Sequence, residues 1–505
     1  MKGLEYIHNS YGKLPWAKVI SPAIELARYG FPVSFDLARG MNSKNEFLNH
    51  NDFLTEDPTW AMDFAPNGTK LTTGDIITRK RYADTLESIA FNGADVFYKG
   101  ILANLTIRAI QRTNGTMTMQ DLADYKVISR PAVSIDFYTD YKLFGCGAPA
   151  SGAVALSILQ TVSGYASSTA DPILKAHRLV EAMRFAYGQR ASMGDPDFLP
   201  NMSAYEAHML SPAYGAATRS KILDSTTQNI SAYNPSGFEI RNSHGTSHIS
   251  AADSTGLGFS LTTTVNLYFG STVMVPETGI ILNNEMNDFS IPGVTNAFGY
   301  AASPANYVQA GKRSLSSIAP VIVEKLGDSN GAGKRKTKGK GSGGSLYAVL
   351  GAAGGSRIIT AVAQNVLDLL LPPSSSSSEP PSSSSHGNLS KVLARSRLHD
   401  QLLPNILRIE RGGSGVDVDV DADEEEEDDD DDDDDDDADE EQRKLVRGLE
   451  AKGHKVEWTE RGYSACQGVI FVGEKGGTEG HGRPETGKWF AEGEPRQRDS
   501  GGCVV

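Results

Sequence analysis

Apolar positions recur with a helical period through most of the first 240 residues. Ile20, Ala23, Ile24 and Ala27 mark one face of a helix over Ile20–Tyr29, and similar stripes predict helices over Ala83–Phe91, Val96–Arg112 and Ile173–Ser192. From Ser247 the pattern shortens to β-rich runs at Ser247–Ala252, Gly258–Asn266, Thr278–Leu282, Ile318–Leu326 and Leu346–Gly351. An apolar helix over Arg357–Leu371 follows. Blocks of helix and then strand predict an α+β chain built from packed layers. Residues two apart on a strand share a face, so Gly258–Asn266 is expected to project Thr264 and Asn266 together.

Three segments break this pattern and predict disordered inserts, at about 327–344, 372–390 and 412–441. The first is rich in Gly and Lys and falls between two predicted strands, where a hairpin turn would suffice. Its Gly333-Lys334 does not make a phosphate loop, because Arg335 stands where Ser or Thr is needed and position 328 is Asp. The cluster Lys334–Lys340 reads as a solvated loop before a nuclear signal. The second insert is a Ser/Pro tract with too little apolar surface to order itself. The third is an acidic run that repels itself into an extended state.

Composition then changes the picture in two ways. Residues 417–441 carry 21 acidic groups, and without them the formal charge of −15 becomes +6. Setting aside the five basic residues of 334–340 as well leaves about +1. The remainder is nearly neutral, which implies neither nucleic acid nor an anionic membrane as partner. Three cysteines, Cys146, Cys466 and Cys503, give no disulfide framework. No stretch is long and apolar enough to span a membrane, and no signal peptide is visible. Six N-x-Ser/Thr sequons, at Asn67, Asn104, Asn114, Asn201, Asn229 and Asn388, arise by chance about as readily as they mark glycosylation.

The chemistry concentrates around Gly245-Thr246-Ser247-His248. Eighteen residues after Thr246 comes Thr264-Val265-Asn266, and then Asn283-Asn284-Glu285-Met286-Asn287-Asp288. A threonine hydroxyl is a weak nucleophile, but the α-amino group of an N-terminal threonine can serve as its base. Cleavage after Gly245 would create that terminus. Glu285 and Asp288 taken alone would be exposed turn residues; paired acids also occur in glycosidases and metal sites, which no further His or acid cluster supports here. A Ser247/His248 pair is excluded by geometry, since neighbours on a strand face opposite ways.

These residues resemble the γ-glutamyltransferase (glutathione hydrolase) family of N-terminal-nucleophile hydrolases. The resemblance extends to Leu315-Ser316-Ser317, Gly351-Ala352-Ala353-Gly354-Gly355 and Arg397-Leu398-His399-Asp400-Gln401. Upstream it takes in Tyr11–Ala17 and His177–Tyr187, and the closing Gly493-Glu494-Pro495-Arg496-Gln497 is similar to fungal members. It implies a four-layer αββα sandwich, with residues 1–245 as a large subunit and 246–505 as a small one, paired as a heterodimer after autocleavage between Gly245 and Thr246. It further implies Thr246 as nucleophile, Thr264 as its hydrogen-bond partner, and Gly354 and Gly355 as oxyanion hole. Asn266, Glu285 and Asp288 would hold the substrate α-amino group, and Ser316 and Ser317 its α-carboxylate. His399 is implied to be structural.

Glutathione and other γ-glutamyl compounds are the implied substrates, water and amino acids or dipeptides the acceptors, with no cofactor and no metal. The implied location is the secretory pathway, at the plasma membrane, the vacuole or outside the cell. Family members carry a long segment ahead of the block that begins here at Lys2, including an anchor or signal and an arginine that clamps the α-carboxylate. The resemblance therefore implies an N-terminally incomplete chain. The alternative is a non-catalytic member acting as an interaction protein through its charged inserts.

Overall fold

The apolar run at Leu346–Gly351 becomes the middle of a sheet in the computed structural model. The structure describes residues 1–43, 52–165, 171–234, 236–238, 246–295, 301–326, 344–371, 389–412, 435–473 and 487–504. Gly245 and nearly all of the three inserts lie outside them. The described chain divides into two units, Met1–Arg130 with Val265–Asn284, and Pro131–Thr264 with Glu285–Val505.

The first unit is mostly helical. The stripe on Trp16–Tyr29 packs Ile20 and Ala27 against Ala83, Leu86, Ile89 and Ala90 of the helix Lys80–Asn92. The predicted helix Val96–Arg112 is two helices, Asp95–Tyr98 and Ile101–Arg112, parted at Lys99–Gly100. Strands β1 (Phe31–Pro32) and β2 (Ile76–Ile77) form a two-residue antiparallel pair.

The loop Val265–Asn284 docks on this unit by an aromatic plug and by its own carbonyls. Phe269 meets Phe53, Trp60 and Phe64 edge-on, each at 5.7 Å. Arg81 Nη1 donates to the Pro276 carbonyl at 2.7 Å and Thr85 Oγ1 to that of Thr278 at 2.9 Å. Arg79 donates to Gly279. The strand expected at Thr278–Leu282 does not form; one isolated bridge, Met274 to Ile281, is all the pairing there. Helix side chains satisfy the carbonyls that a ladder would otherwise use.

The second unit holds β3 (Val133–Phe137), β4 (Tyr141–Gly145), β5 (Thr246–Ala252), β6 (Gly258–Thr264), β7 (Val321–Lys325), β8 (Ser345–Ala353), β9 (Leu398–His399), β10 (Leu407–Glu410), β11 (Val456–Thr459), β12 (Ala465–Gly473) and β13 (Gly487–Glu492). Six of them form one antiparallel sheet in the order β13-β12-β8-β7-β4-β3. Alternation along β8 decides the layering. Ala348, Leu350 and Ala352 join a core with the helices Gly152–Val162, Pro172–Arg190 and Arg357–Leu370. Gly351, on the other face, lies against His248 of the β5–β6 hairpin. The hairpin is thus a second β layer over the sheet. The architecture is α+β.

A smaller sheet, β11-β10-β9, packs Leu398, Leu407 and Ile409 against Val446 and Leu449 of the helix Asp435–Ala451. One expectation needs correction. β6 stops at Thr264, and Asn266 takes φ of +75° beyond it, so the two do not share a strand face.

Candidate active site

The hairpin sets two threonines opposite each other. Register across β5 and β6 pairs Thr246 with Thr264, Ser247 with Thr263 and His248 with Thr262. Thr246 Oγ1 donates to Thr264 Oγ1 at 3.4 Å, the long end of a hydroxyl hydrogen bond. Period-2 alternation turns Thr246 and His248 inward and leaves Ser247 exposed.

His248 is buried among neutral partners, with Thr262 Oγ1 at 2.8 Å and Ser250 Oγ at 2.9 Å. Burial pushes its pKa down to about 4. An unfolded histidine titrates near 6.5, so the stability His248 contributes is whole above that pH and is lost as pH falls toward 4. The loss should reach about 3 kcal/mol. His248→Gln is expected to flatten that part of the stability curve, read by urea unfolding at pH 7, 5.5 and 4.5. Parallel curves for the two proteins would refute it. Burial lowers His399 and His454 in the same sense, each to about 3.

The turn after β8 carries Gly354 at φ +120° and Gly355 at φ +60°, which favour glycine. Their carbonyls accept from Arg357 and Ile358 as the helix Arg357–Leu370 starts. A Cβ on Gly258 would come within 2.9 Å of Leu346, Ser260 Oγ donates to Leu350, and His248 lies against Gly351. These contacts step along β8 in one direction and carry the Thr246–Thr264 end of the hairpin toward Gly354.

The acidic and serine blocks converge on each other in the same unit. Glu285–Asp288 forms a 3-10 turn with Asp288 buried and Glu285 half-buried. Asn306 ties it to the serine block: its Nδ2 donates to the Asp288 carbonyl at 2.7 Å and its Oδ1 accepts from Leu315 N–H at 2.9 Å. Ser316 N–H donates to Pro149 at 2.8 Å, and Ser317 Oγ accepts from Arg190 Nη2 at 3.0 Å. Asn266 belongs to the other unit, where it is buried at the root of the docked loop. Sequence reasoning missed Arg190 and Asn306. Arg190 hides at the end of an amphipathic-looking stripe, and no motif distinguishes Asn306 from a loop residue.

A family model described as gamma-glutamyltranspeptidase matches residues 1–501. The chain belongs to the γ-glutamyltranspeptidase family. It is 42% identical over 509 aligned residues to a glutathione hydrolase proenzyme of Arthroderma benhamiae, covering 100% of this chain and 74% of that protein. It is 40% identical to a glutathione hydrolase of Aspergillus flavus, covering 80% of this chain and 64% of that one. A crystal structure of cephalosporin acylase from Bacillus halodurans shares the fold, with a TM-score of 0.70 and 21% identity over 97% of this chain and 75% of that one.

Elsewhere in this γ-glutamyltranspeptidase relative, one group of metal-ligand side chains meets among the described residues. His177, Glu181 and His454 are buried, with an atom of each within 4.8 Å of the others. All their polar side-chain atoms but His454 Nδ1 are engaged. His177 Nδ1 lies 2.8 Å from His454 Nε2, and His177 Nε2 lies 2.8 Å from the Leu223 carbonyl. The Glu181 oxygens accept from Thr227 at 2.8 Å and Tyr233 at 2.6 Å. The group is a hydrogen-bond network fastening the helix Pro172–Arg190 to the segment before β11.

His399, in the family block Arg397–Gln401, bonds Thr360 Oγ1 at 2.9 Å and Gln401 Oε1 at 3.2 Å, inside the core. Among the described residues no helix is long and apolar enough to cross a membrane.

Proposed function

We propose that this chain is a self-processing γ-glutamyl hydrolase and transferase acting on glutathione and its conjugates. The Thr246–Thr264 pair at the end of the hairpin carries the reading. In maturation Thr246 Oγ1 attacks the Gly245 carbonyl, the C–N bond breaks to give an ester, and water releases it. Residues 1–245 and 246–505 become two subunits of one heterodimer. The freed α-amino group then takes the Thr246 hydroxyl proton as Oγ1 attacks the γ-carbonyl. Thr264 holds the nucleophile's rotamer.

Backbone N–H groups of Gly354 and Gly355 receive the developing oxyanion, and the amine leaves with the proton. Water or an amino acid or dipeptide discharges the acyl-enzyme. Asn266, Glu285 and Asp288 bind the substrate ammonium, and Ser316 and Ser317 its carboxylate. The non-catalytic alternative lacks support, since the relatives named above are glutathione hydrolases and the threonine pair is intact. Incubation with glutathione should yield glutamate and the cysteinylglycine dipeptide alongside fragments split at 245/246. An uncut chain releasing no glutamate would defeat the proposal.

Gly354→Ala tests the oxyanion role. Its Cβ would sit 2.4 Å from the Tyr463 carbonyl oxygen at a φ that alanine disfavours. A loss of about a hundredfold in kcat is expected, with KM nearly unchanged. A change confined to KM would argue against it. A secretory location fits the exposure of Asn67, Asn114, Asn201 and Asn229, and a mass loss on enzymatic deglycosylation would test it.

A further inference from the structure

Three arginines, Arg357, Arg397 and Arg408, line one small cavity at the start of the helix Arg357–Leu370. Two of them are in ion pairs. Arg397 Nη2 donates to Glu494 Oε2 at 2.8 Å, and Arg408 Nη2 lies 3.5 Å from Glu457 Oε2. Arg357 forms no salt bridge among the described residues. Its Nε and Nη1 are buried and donate to nothing there, and Arg397 Nε is in the same state. The Tyr463 ring covers the Arg357 guanidinium at 4.7 Å, which offers a π face but no lone pair.

Glu410 also lines the cavity, but its charge is spent on Arg496, whose Nε and Nη2 both donate to Glu410 Oε2, at 3.0 and 2.7 Å. Counting each pair as neutral leaves the Arg357 charge uncompensated. Its field reaches the opposite wall, where burial and then Arg357 drive His399 down to about 3. A desolvated cation with idle donors is costly unless an anion completes it. The cavity measures about 10 Å³, room for one sphere near the size of a water molecule. That volume excludes sulfate, phosphate and carboxylates. A water would accept two of the three idle N–H groups and bring no charge.

We propose that Arg357, with Arg397 and Arg408, forms a buried site for one halide-sized monovalent anion, chloride being the abundant one. The site stands independently of the γ-glutamyl reading, since it needs no turnover to be occupied. Arg357 N–H donates to the Gly354 carbonyl at 3.2 Å, so the anion fixes the side chain of the residue that closes the glycine turn. An anion that binds only the folded chain also stabilises it by mass action.

The test is thermal unfolding of the full chain in sodium chloride and in sodium gluconate at equal ionic strength, which holds screening constant. Gluconate is too large for the cavity. Arg357→Met keeps the apolar stem and removes the charge and the donors. General salt effects act on both proteins alike, so the chloride-minus-gluconate difference in Tm is compared between them. Wild type is expected to exceed the variant by about 2–4 °C, saturating as chloride is titrated in, with bromide giving the same result. Bromide-soaked crystals of the wild type supply a reading that needs no variant, with an anomalous peak expected beside Arg357 and Arg397. If Arg357→Met does not fold, that peak decides. Equal salt differences in the two proteins, or a cavity holding water and no bromide peak, would overturn the proposal.

Discussion

Thr246→Ala is expected to leave the chain uncut and to lower γ-glutamyl turnover by at least about 10⁴-fold. Two steps fail together, because the same hydroxyl would open the Gly245–Thr246 bond and then take the glutamyl group. Thr246→Ser separates them from folding. Serine supplies the same hydroxyl without the γ-methyl, so it should still cleave, more slowly, and retain measurable turnover. Thr264→Val removes the hydroxyl opposite Thr246 on the paired strand and should cost about tenfold in rate, the worth of one hydrogen bond. The assay is intact mass after timed incubation, followed by initial rates on a γ-glutamyl anilide. Cleavage at 245/246 in the alanine variant would rule Thr246 out as the nucleophile.

The hairpin that carries Thr246 was legible because it lies in a local pattern. The runs at Ser247–Ala252 and Gly258–Asn266 are short, polar-alternating and separated by a turn, and the hairpin formed within two residues of both. The helix Lys80–Asn92 was equally plain, since an amphipathic stripe is a property of neighbours. What failed was set at long range. β4 pairs with β7 some 180 residues away, and nothing near Tyr141–Gly145 announces it. Thr278–Leu282 has strand composition, yet Arg79, Arg81 and Thr85 capture carbonyls along its loop. Asn266 was placed by counting in twos past the point where β6 ends. Arg190 shows the same limit at the level of chemistry: its partner Ser317 lies 127 residues further along the chain.

Glu494→Gln is expected to destabilise the protein by about 3–5 kcal/mol at pH 7, although it lies far along the chain from Thr246. Glu494 is 1% exposed and sits between two guanidinium groups, with Arg397 Nη2 and Arg496 Nη1 each at 2.8 Å. Arg496 also pairs with Glu410 at 2.7 Å. Gln keeps the shape and removes the charge, leaving Arg397 buried without its partner. Burial alone would raise the Glu494 pKa, but Arg397 and then Arg496 outweigh it and hold the carboxyl below its ordinary range. Its contribution is therefore whole above the unfolded value and disappears as pH falls through the lower folded one. The gap between wild type and variant should be widest near neutral pH and narrow only as pH falls below the ordinary carboxyl range, in urea-unfolding curves taken across that range. A gap under about 1 kcal/mol at pH 7 would mean that the cluster is replaceable by neutral packing. The cluster also reaches the candidate oxyanion turn. Arg397 Nη1 donates to the Ser464 carbonyl at 2.8 Å, and Ser464 Cα lies 2.8 Å from where a Gly354 Cβ would stand. The C-terminal segment is thereby tied to the backbone that lies against Gly354, so Glu494→Gln should lower kcat at temperatures where the protein is still folded.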